Sequence, residues 1–374
     1  MVLGGGGIKG IAYSGVFEVA EERGYKWGNI AGVSAGSVAG ACIAAGYKAW
    51  EILDIIEQFD FSKINLDRIP MRVPVVQEIM EIRDRWKLGY ENIFKFLFTR
   101  DGLAGNSATN PADSLSLDGN SANNQVNKLA GNSFNNLQGD YRVNLLKGIV
   151  KYCQKGCLFD GDYLEEWIGW LLARKGVRTF GDLRGGIVDE ENPGGYKVRM
   201  TAADCNRVKV IVLPDDISYY GIDPDELEVA KAVRMSTCVP FAFKPVEIKR
   251  KQGDKTVIHY IVDGGVLDRF PSWLVKHSSG YPPAVGFTLD GGEKKTTLNM
   301  DTALDVLKAL ITAVHDIGVP KDAAYDMKYV GRIDTGKVSF LDFDITREEK
   351  IYLYESGSKA AIKLFNELEK DYIT

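Results

Sequence analysis

The chain has 374 residues, 45% of them hydrophobic and 26% charged, with a formal net charge of −5. These values describe a globular chain long enough for one elaborated domain or two, and the acidic balance leaves no basic footprint for nucleic acid. Five cysteines form an odd set in which only Cys153 and Cys157 lie close together. That argues against a disulfide framework, offers no second pair for a zinc site, and points to reduced thiols in a cytoplasmic chain.

The sequence opens on Val2-Leu3, with no basic segment before an apolar stretch, so a secretory leader is not expected. Val2-Leu3 predicts the end of a strand. Gly4-Gly5-Gly6-Gly7-Ile8-Lys9-Gly10 follows, then a helical pattern through Ile11, Ala12, Val16, Val19 and Ala20 to Glu22. A glycine-rich turn entering a helix leaves backbone N–H groups accessible, able to cradle a phosphate or a developing oxyanion. By pattern alone Gly5-x-Gly7-x-x-Gly10 also fits the dinucleotide fingerprint, which expects an acidic residue at the end of the second strand. That strand ends at Ser34, and no Asp or Glu lies between Glu22 and Glu51. A phosphate loop of the Gly-Lys-Ser/Thr type is also missing. Nucleotide binding through Gly4–Gly10 is kept as the alternative from a different class.

The apolar run Ile30, Ala31, Val33 leads into Gly32-Val33-Ser34-Ala35-Gly36. This is a G-x-S-x-G nucleophile elbow, in which small neighbours let the serine sit on a tight strand-to-helix turn. A small-residue helix, Ser37 to Ala45, leads out. Trp27 to Tyr47 is uncharged, with glycine at 28, 32, 36 and 40, and so mimics a membrane helix. Its glycines, serines and Asn29 make it too polar for that, and strand, elbow and close-packed helix are predicted instead.

A helix is expected over Lys48–Phe59. Residues 61–100 are amphipathic and interrupted by Pro70 and Pro74. Tyr90, Ile93, Phe94, Leu97 and Phe98 share one helical stripe, which suits either core packing or a lid or lipid-facing helix. Residues 101–140 hold nine Asn, five Gly and five Ser, too little apolar surface to offset ordering, and read as a polar insertion. Order returns with an amphipathic helix behind Asp162 (Tyr163, Leu164, Trp167, Ile168, Leu171, Leu172). Paired strands are expected at 197–203 and 208–213, and a hairpin of Val246–Ile248 with Val257–Val262. The charged stretch Lys249–Lys255 is expected as its turn, either solvated or touching anionic headgroups. Val257–Val262 ends in Asp263-Gly264-Gly265, a carboxylate at a strand end beside residues that admit close approach. A strand at 284–289 and a helix at 303–317 follow. Thr346 and Glu349 predict a capping box before a last helix to about Glu369. Strand–helix alternation predicts an α/β fold with a mostly parallel central sheet flanked by helices on both faces.

The GGGGxKG loop, the GxSxG about 25 residues later and the downstream DGG, in this order, resemble the patatin-like phospholipase family. The segment Ala232–Pro240, ahead of Phe241 and Pro245-Val246, also resembles the family's approach to its DGG strand. The resemblance covers roughly residues 1–50 and 196–290. It implies a patatin-like three-layer sandwich, a single domain over 1–374 with a C-terminal helical elaboration over 291–374, and a serine acyl-ester hydrolase. Ser34 would be the nucleophile, Asp263 the base, and the N–H groups of Gly5, Gly6 and Gly7 the oxyanion hole. Gly4, Ile8, Lys9, Gly10, Gly32, Gly36, Gly264 and Gly265 would support them, with no metal or cofactor. The implied partners are phospholipid or lysophospholipid substrates at a peripheral membrane surface. A neutral-lipid lipase or an acyl thioesterase would use the same dyad, and a catalytically silent lipid-binding scaffold is a further class. Lys9 stands where the family usually has Arg, and Arg269 where Asn is common. Only His259, His277 and His315 are available for a Ser-His-Asp triad, and the variant with His277 stays open.

Overall fold

The computed structural model describes residues 1–64, 159, 161–275, 283–291, 312 and 327–373. The first third of the described chain runs β1 (Val2–Leu3), a 3-10 turn (Gly7–Ile11), α1 (Ala12–Glu22), β2 (Ile30–Val33), α2 (Ala35–Ala44) and α3 (Ala49–Gln58). Then come α4 (Asp162–Arg174), β3 (Val198–Asp204), β4 (Lys209–Leu213) and α5 (Val229–Ser236). The chain continues through β5 (Val246–Gln252), β6 (Lys255–Asp263), β7 (Val285–Asp290), β8 (Tyr329–Asp334) and α6 (Arg347–Ile373). The uncharged stretch 27–47 is β2, elbow and α2, and among the described residues no helix is long and apolar enough to cross a membrane. The stripe at 90–98, the insertion at 101–140 and, apart from Thr312, the helix expected at 303–317 lie outside the described residues.

The fold is mixed α/β. One sheet has the order β5-β6-β3-β2-β1-β7-β8, with β4 also paired to β3. The five strands from β3 to β8 in this order run parallel, and β4, β5 and β6 join antiparallel. β2 and β3 are buried along their whole length, as parallel strands covered on both faces should be. On one face Phe287 packs edge-on against Phe365 of α6, which itself stacks on Tyr25 at 4.5 Å. Each fully buried phenylalanine contributes about 1.5–3 kcal/mol, which fastens the last helix to β7 and to the segment after α1. The other face carries Val2 and Ala31 against Phe270, Leu274 and Val275.

Two expectations need correction. Residues 291–374 are not a purely helical elaboration, because β8 pairs with β7 and widens the sheet. The Lys249–Lys255 stretch is not a turn. It is ladder, paired from Val246↔Ile261 to Gln252↔Lys255, and only Gly253-Asp254 reverses the chain. The capping box forms: Thr346 N–H donates to Glu349 Oε2 (2.8 Å) and Glu349 N–H to Thr346 Oγ1 (3.2 Å). Cys42, Cys205 and Cys238 are buried, and burial pushes the Cys42 thiol up to about 12.

The register around β3 sets up the site. β4 occupies one edge of β3 over Met200–Asp204, so β2 and β6 share the other. On that shared edge β2 ends with Val33 opposite Thr201, and β6, arriving from the opposite direction, ends with Asp263 opposite Ala202. Two strands thus meet end to end on adjacent positions of a third. The residues that follow Val33 and close β6, Ser34 and Asp263, have to be neighbours.

Candidate active site

Ser34 leaves β2 with φ 53° and ψ −120°, a left-handed conformation rare outside glycine that costs on the order of 1–3 kcal/mol. Sterics explain the two glycines around it. A Cβ on Gly32 would overlap the carbonyl of Gly36, and a Cβ on Gly36 would overlap the carbonyls of Leu3 and Gly4. The strained turn is held by hydrogen bonds. Ser34 O accepts from Ser37 N (2.9 Å) and Ser37 Oγ (2.6 Å). Ser34 N–H donates to Ser236 Oγ (3.0 Å), and Ser236 Oγ donates to the Thr201 carbonyl (2.8 Å). The hydroxyl of a fully buried serine at the end of α5 therefore splices the ladder where β2 departs from β3. Two residues on, the Cys238 carbonyl accepts from Asp263 N–H (2.8 Å). One short segment holds the backbones of both candidate residues. Ser236 carried no sequence signal beyond its place in the Ala232–Pro240 segment.

Asp263 is buried, and the register of β2 and β6 on β3 brings it beside Ser34, whose side chain acts on its carboxyl. Its Oδ1 accepts from Gly265 N–H at 2.7 Å. Burial raises its carboxyl from the ordinary 3.8 to about 6, against the smaller opposing pulls of the Ser34 side chain, the Gly265 N–H and the Arg269 charge. Gly264 packs against the Thr201 carbonyl with no room for a Cβ.

The opening loop lies over this pair. Gly4 N–H donates to Phe287 O (3.0 Å), Ile8 N–H to Phe340 O (3.2 Å), and Gly10 abuts Ala35. Lys9 is buried and its Nζ donates to Gly291 O at 2.8 Å, so its charge ties the loop to the end of β7. Gly5 departs from the oxyanion expectation. Its N–H donates to the Arg269 carbonyl (3.1 Å) and is not available to an oxyanion in this arrangement. The N–H groups of Gly6 and Gly7 make no hydrogen bond to another described residue. Ala35, first residue of α2, offers a third N–H without an intrahelical partner.

Ser34 opens on an apolar cavity lined among others by Gly7, Phe159, Val239, Phe243 and Phe340. His259 is elsewhere. Its Nδ1 lies 2.8 Å from Asp204 Oδ2, which also accepts from Tyr220 OH at 2.7 Å. His277 and His315 lie outside the described residues. Among the described residues no cluster of His, Cys, Asp and Glu is suited to a metal.

The family model for patatin-like phospholipases matches residues 1–275. The chain belongs to the patatin-like phospholipase family. Membership makes it a lipid hydrolase in general terms, and the nucleotide alternative for Gly4–Gly10 falls away. An uncharacterized protein of Bacillus subtilis, YqhO, is 30% identical over 367 residues, covering 96% of this chain and 94% of that one. Among solved structures, VipD from Legionella pneumophila is 17% identical with a TM-score of 0.44. The type III effector ExoU of Pseudomonas aeruginosa is 17% identical with a TM-score of 0.39. Both comparisons cover 98% of this chain but only 66% and 52% of those proteins, so the chain spans two thirds of their length or less.

Proposed function

We propose that the protein hydrolyses fatty-acyl esters of phospholipids or lysophospholipids through an acyl-enzyme on Ser34, with Asp263 as the base. The observation that carries this reading is the register that sets Ser34 beside the buried carboxyl of Asp263, which burial raises toward neutrality. A carboxylate at its ordinary pKa is a weak base for a serine hydroxyl, and burial narrows that gap. Asp263 takes the Ser34 proton as Oγ attacks the ester carbonyl. The N–H groups of Gly6, Gly7 and Ala35 receive the oxyanion, each donor being worth on the order of 3 kcal/mol. The tetrahedral intermediate collapses, and Asp263 returns the proton to the leaving alcohol. Water, deprotonated by the same carboxylate, then releases the fatty acid. The apolar lining beside Ser34, with Phe159, Phe243 and Phe340, suits an apolar group next to the reacting carbonyl.

Product analysis after incubation with phosphatidylcholine, lysophosphatidylcholine, triacylglycerol and acyl-CoA tests the substrate class. Free fatty acid is expected chiefly from the first two, and none from the Ser34→Ala variant. Release from triacylglycerol or acyl-CoA alone moves the protein to a neutral-lipid lipase or thioesterase with the same dyad. Release undiminished in Ser34→Ala overturns the reading.

A further inference from the structure

We propose that the β5–β6 hairpin is a docking surface for anionic phospholipid membranes. The proposal rests on the reading of Ser34 as the reacting group, which fixes the end of the sheet that must face lipid. Ser34 follows β2, so it lies at the C-terminal end of the parallel strands. β3 runs the same way, and β6 pairs with it only over Ile261–Asp263. The preceding residues of β6, 255–260, with their β5 partners, extend past Asp204, the last residue of β3. At about 3.3 Å per residue the tip reaches roughly 20 Å past the last residue of β3, beyond the end of the sheet at which Ser34 lies.

This projection is basic on an acidic protein. Residues 205–209 and 244–256 hold seven Lys and Arg against two carboxylates, Glu247 and Asp254, while the whole chain is at −5. The balance is +5 here and −10 over the rest. Lys249, Lys251 and Lys255 are exposed. Two arginines are fixed beside them: Arg207 lies over the Tyr219 ring at 3.8 Å and Arg250 at 4.0 Å, with Arg250 Nε also donating to Tyr219 O (2.8 Å). Tyr219 is itself partly exposed. A rigid two-stranded arm that carries lysines and braced arginines past the reaction centre complements a negatively charged surface. It would bring the mouth of the cavity down on the bilayer, where the substrate is.

Vesicle co-sedimentation tests this, with pure phosphatidylcholine and with phosphatidylcholine mixed with phosphatidylglycerol, at low and high salt. Wild type is expected to sediment with the anionic vesicles and to be released by salt. Combined Lys249→Glu, Lys251→Glu and Lys255→Glu should lower that partitioning about 100-fold. Hydrolysis of a soluble p-nitrophenyl ester should be unchanged. The matching Lys→Gln triple variant should show a smaller loss in the same direction, and it serves if charge reversal impairs folding. Equal binding to neutral and anionic vesicles, or variants that bind like wild type, overturns the proposal. Loss of ester hydrolysis in wild type itself would instead strike the Ser34 reading and leave the docking result standing.

Discussion

The raised pKa of Asp263 predicts a specific pH dependence. A base must be ionised to accept the Ser34 proton, so kcat/KM should rise with pH along a single limb with its midpoint near 6. The shift from 3.8 is about two units, or roughly 3 kcal/mol of penalty on the buried carboxylate. The folded-state pKa lies above the unfolded one. Stability from this group is therefore fully present below about pH 4 and is lost as pH rises through about 6. Asp263→Asn removes that ionisation. The variant should lack ester hydrolysis, yet gain up to about 3 kcal/mol relative to wild type on going from pH 4 to pH 8. Rates on a soluble p-nitrophenyl ester, measured alongside urea unfolding across the same pH range, read both effects. A limb centred on the ordinary carboxylate value, or a limb near 6 that survives in Asp263→Asn, would refute the assignment of the base.

Three further outcomes follow from the geometry. Ser236→Ala leaves Ser34 N–H and the Thr201 carbonyl unpaired and should lower kcat roughly 10- to 100-fold with little change in KM, since it shifts the nucleophile and not the acyl cavity. A KM effect at constant kcat would contradict that role. Gly36→Ala forces a Cβ into the carbonyls of Leu3 and Gly4 and should cost about 3 kcal/mol by chemical unfolding. Thr346→Ala removes the cap of α6 and should cost about 1 kcal/mol in thermal stability, with ester hydrolysis unchanged.

Local chemistry explains which parts of this molecule were legible in its sequence. The elbow was readable because its demand for small neighbours acts within five residues, from Gly32 to Gly36. The opening glycine loop and the carboxylate closing β6 were readable for the same reason. The cap at Thr346 and Glu349 is likewise a local device. Ser236 was not readable. Its hydroxyl matters only because β2 and β6 end on neighbouring positions of β3, a register that links residues 202 apart in sequence. Lysine and arginine are depleted in strands, so Lys249–Lys255 looked like a turn, although at a sheet edge such residues keep the exposed strand from pairing with other chains. β8 is only six residues long, and Val330 and the central Gly331 weaken its alternation of Tyr329 and Ile333 with Arg332 and Asp334, so it stayed hidden despite the turn signal Asp334-Thr335-Gly336 behind it. The Gly5 N–H looked like an oxyanion donor because nothing local announces the Arg269 carbonyl that receives it.

The central claim is that Ser34 becomes the acyl carrier because Asp263 takes its proton. Its most direct measurement is the rate and position of covalent labelling by a fluorophosphonate, followed by intact mass and peptide mapping. One adduct per chain, on Ser34, forming at least 100-fold more slowly in Asp263→Asn, is the predicted result. An adduct on another residue, or labelling of Ser34 at an unchanged rate without the Asp263 carboxylate, would contradict it.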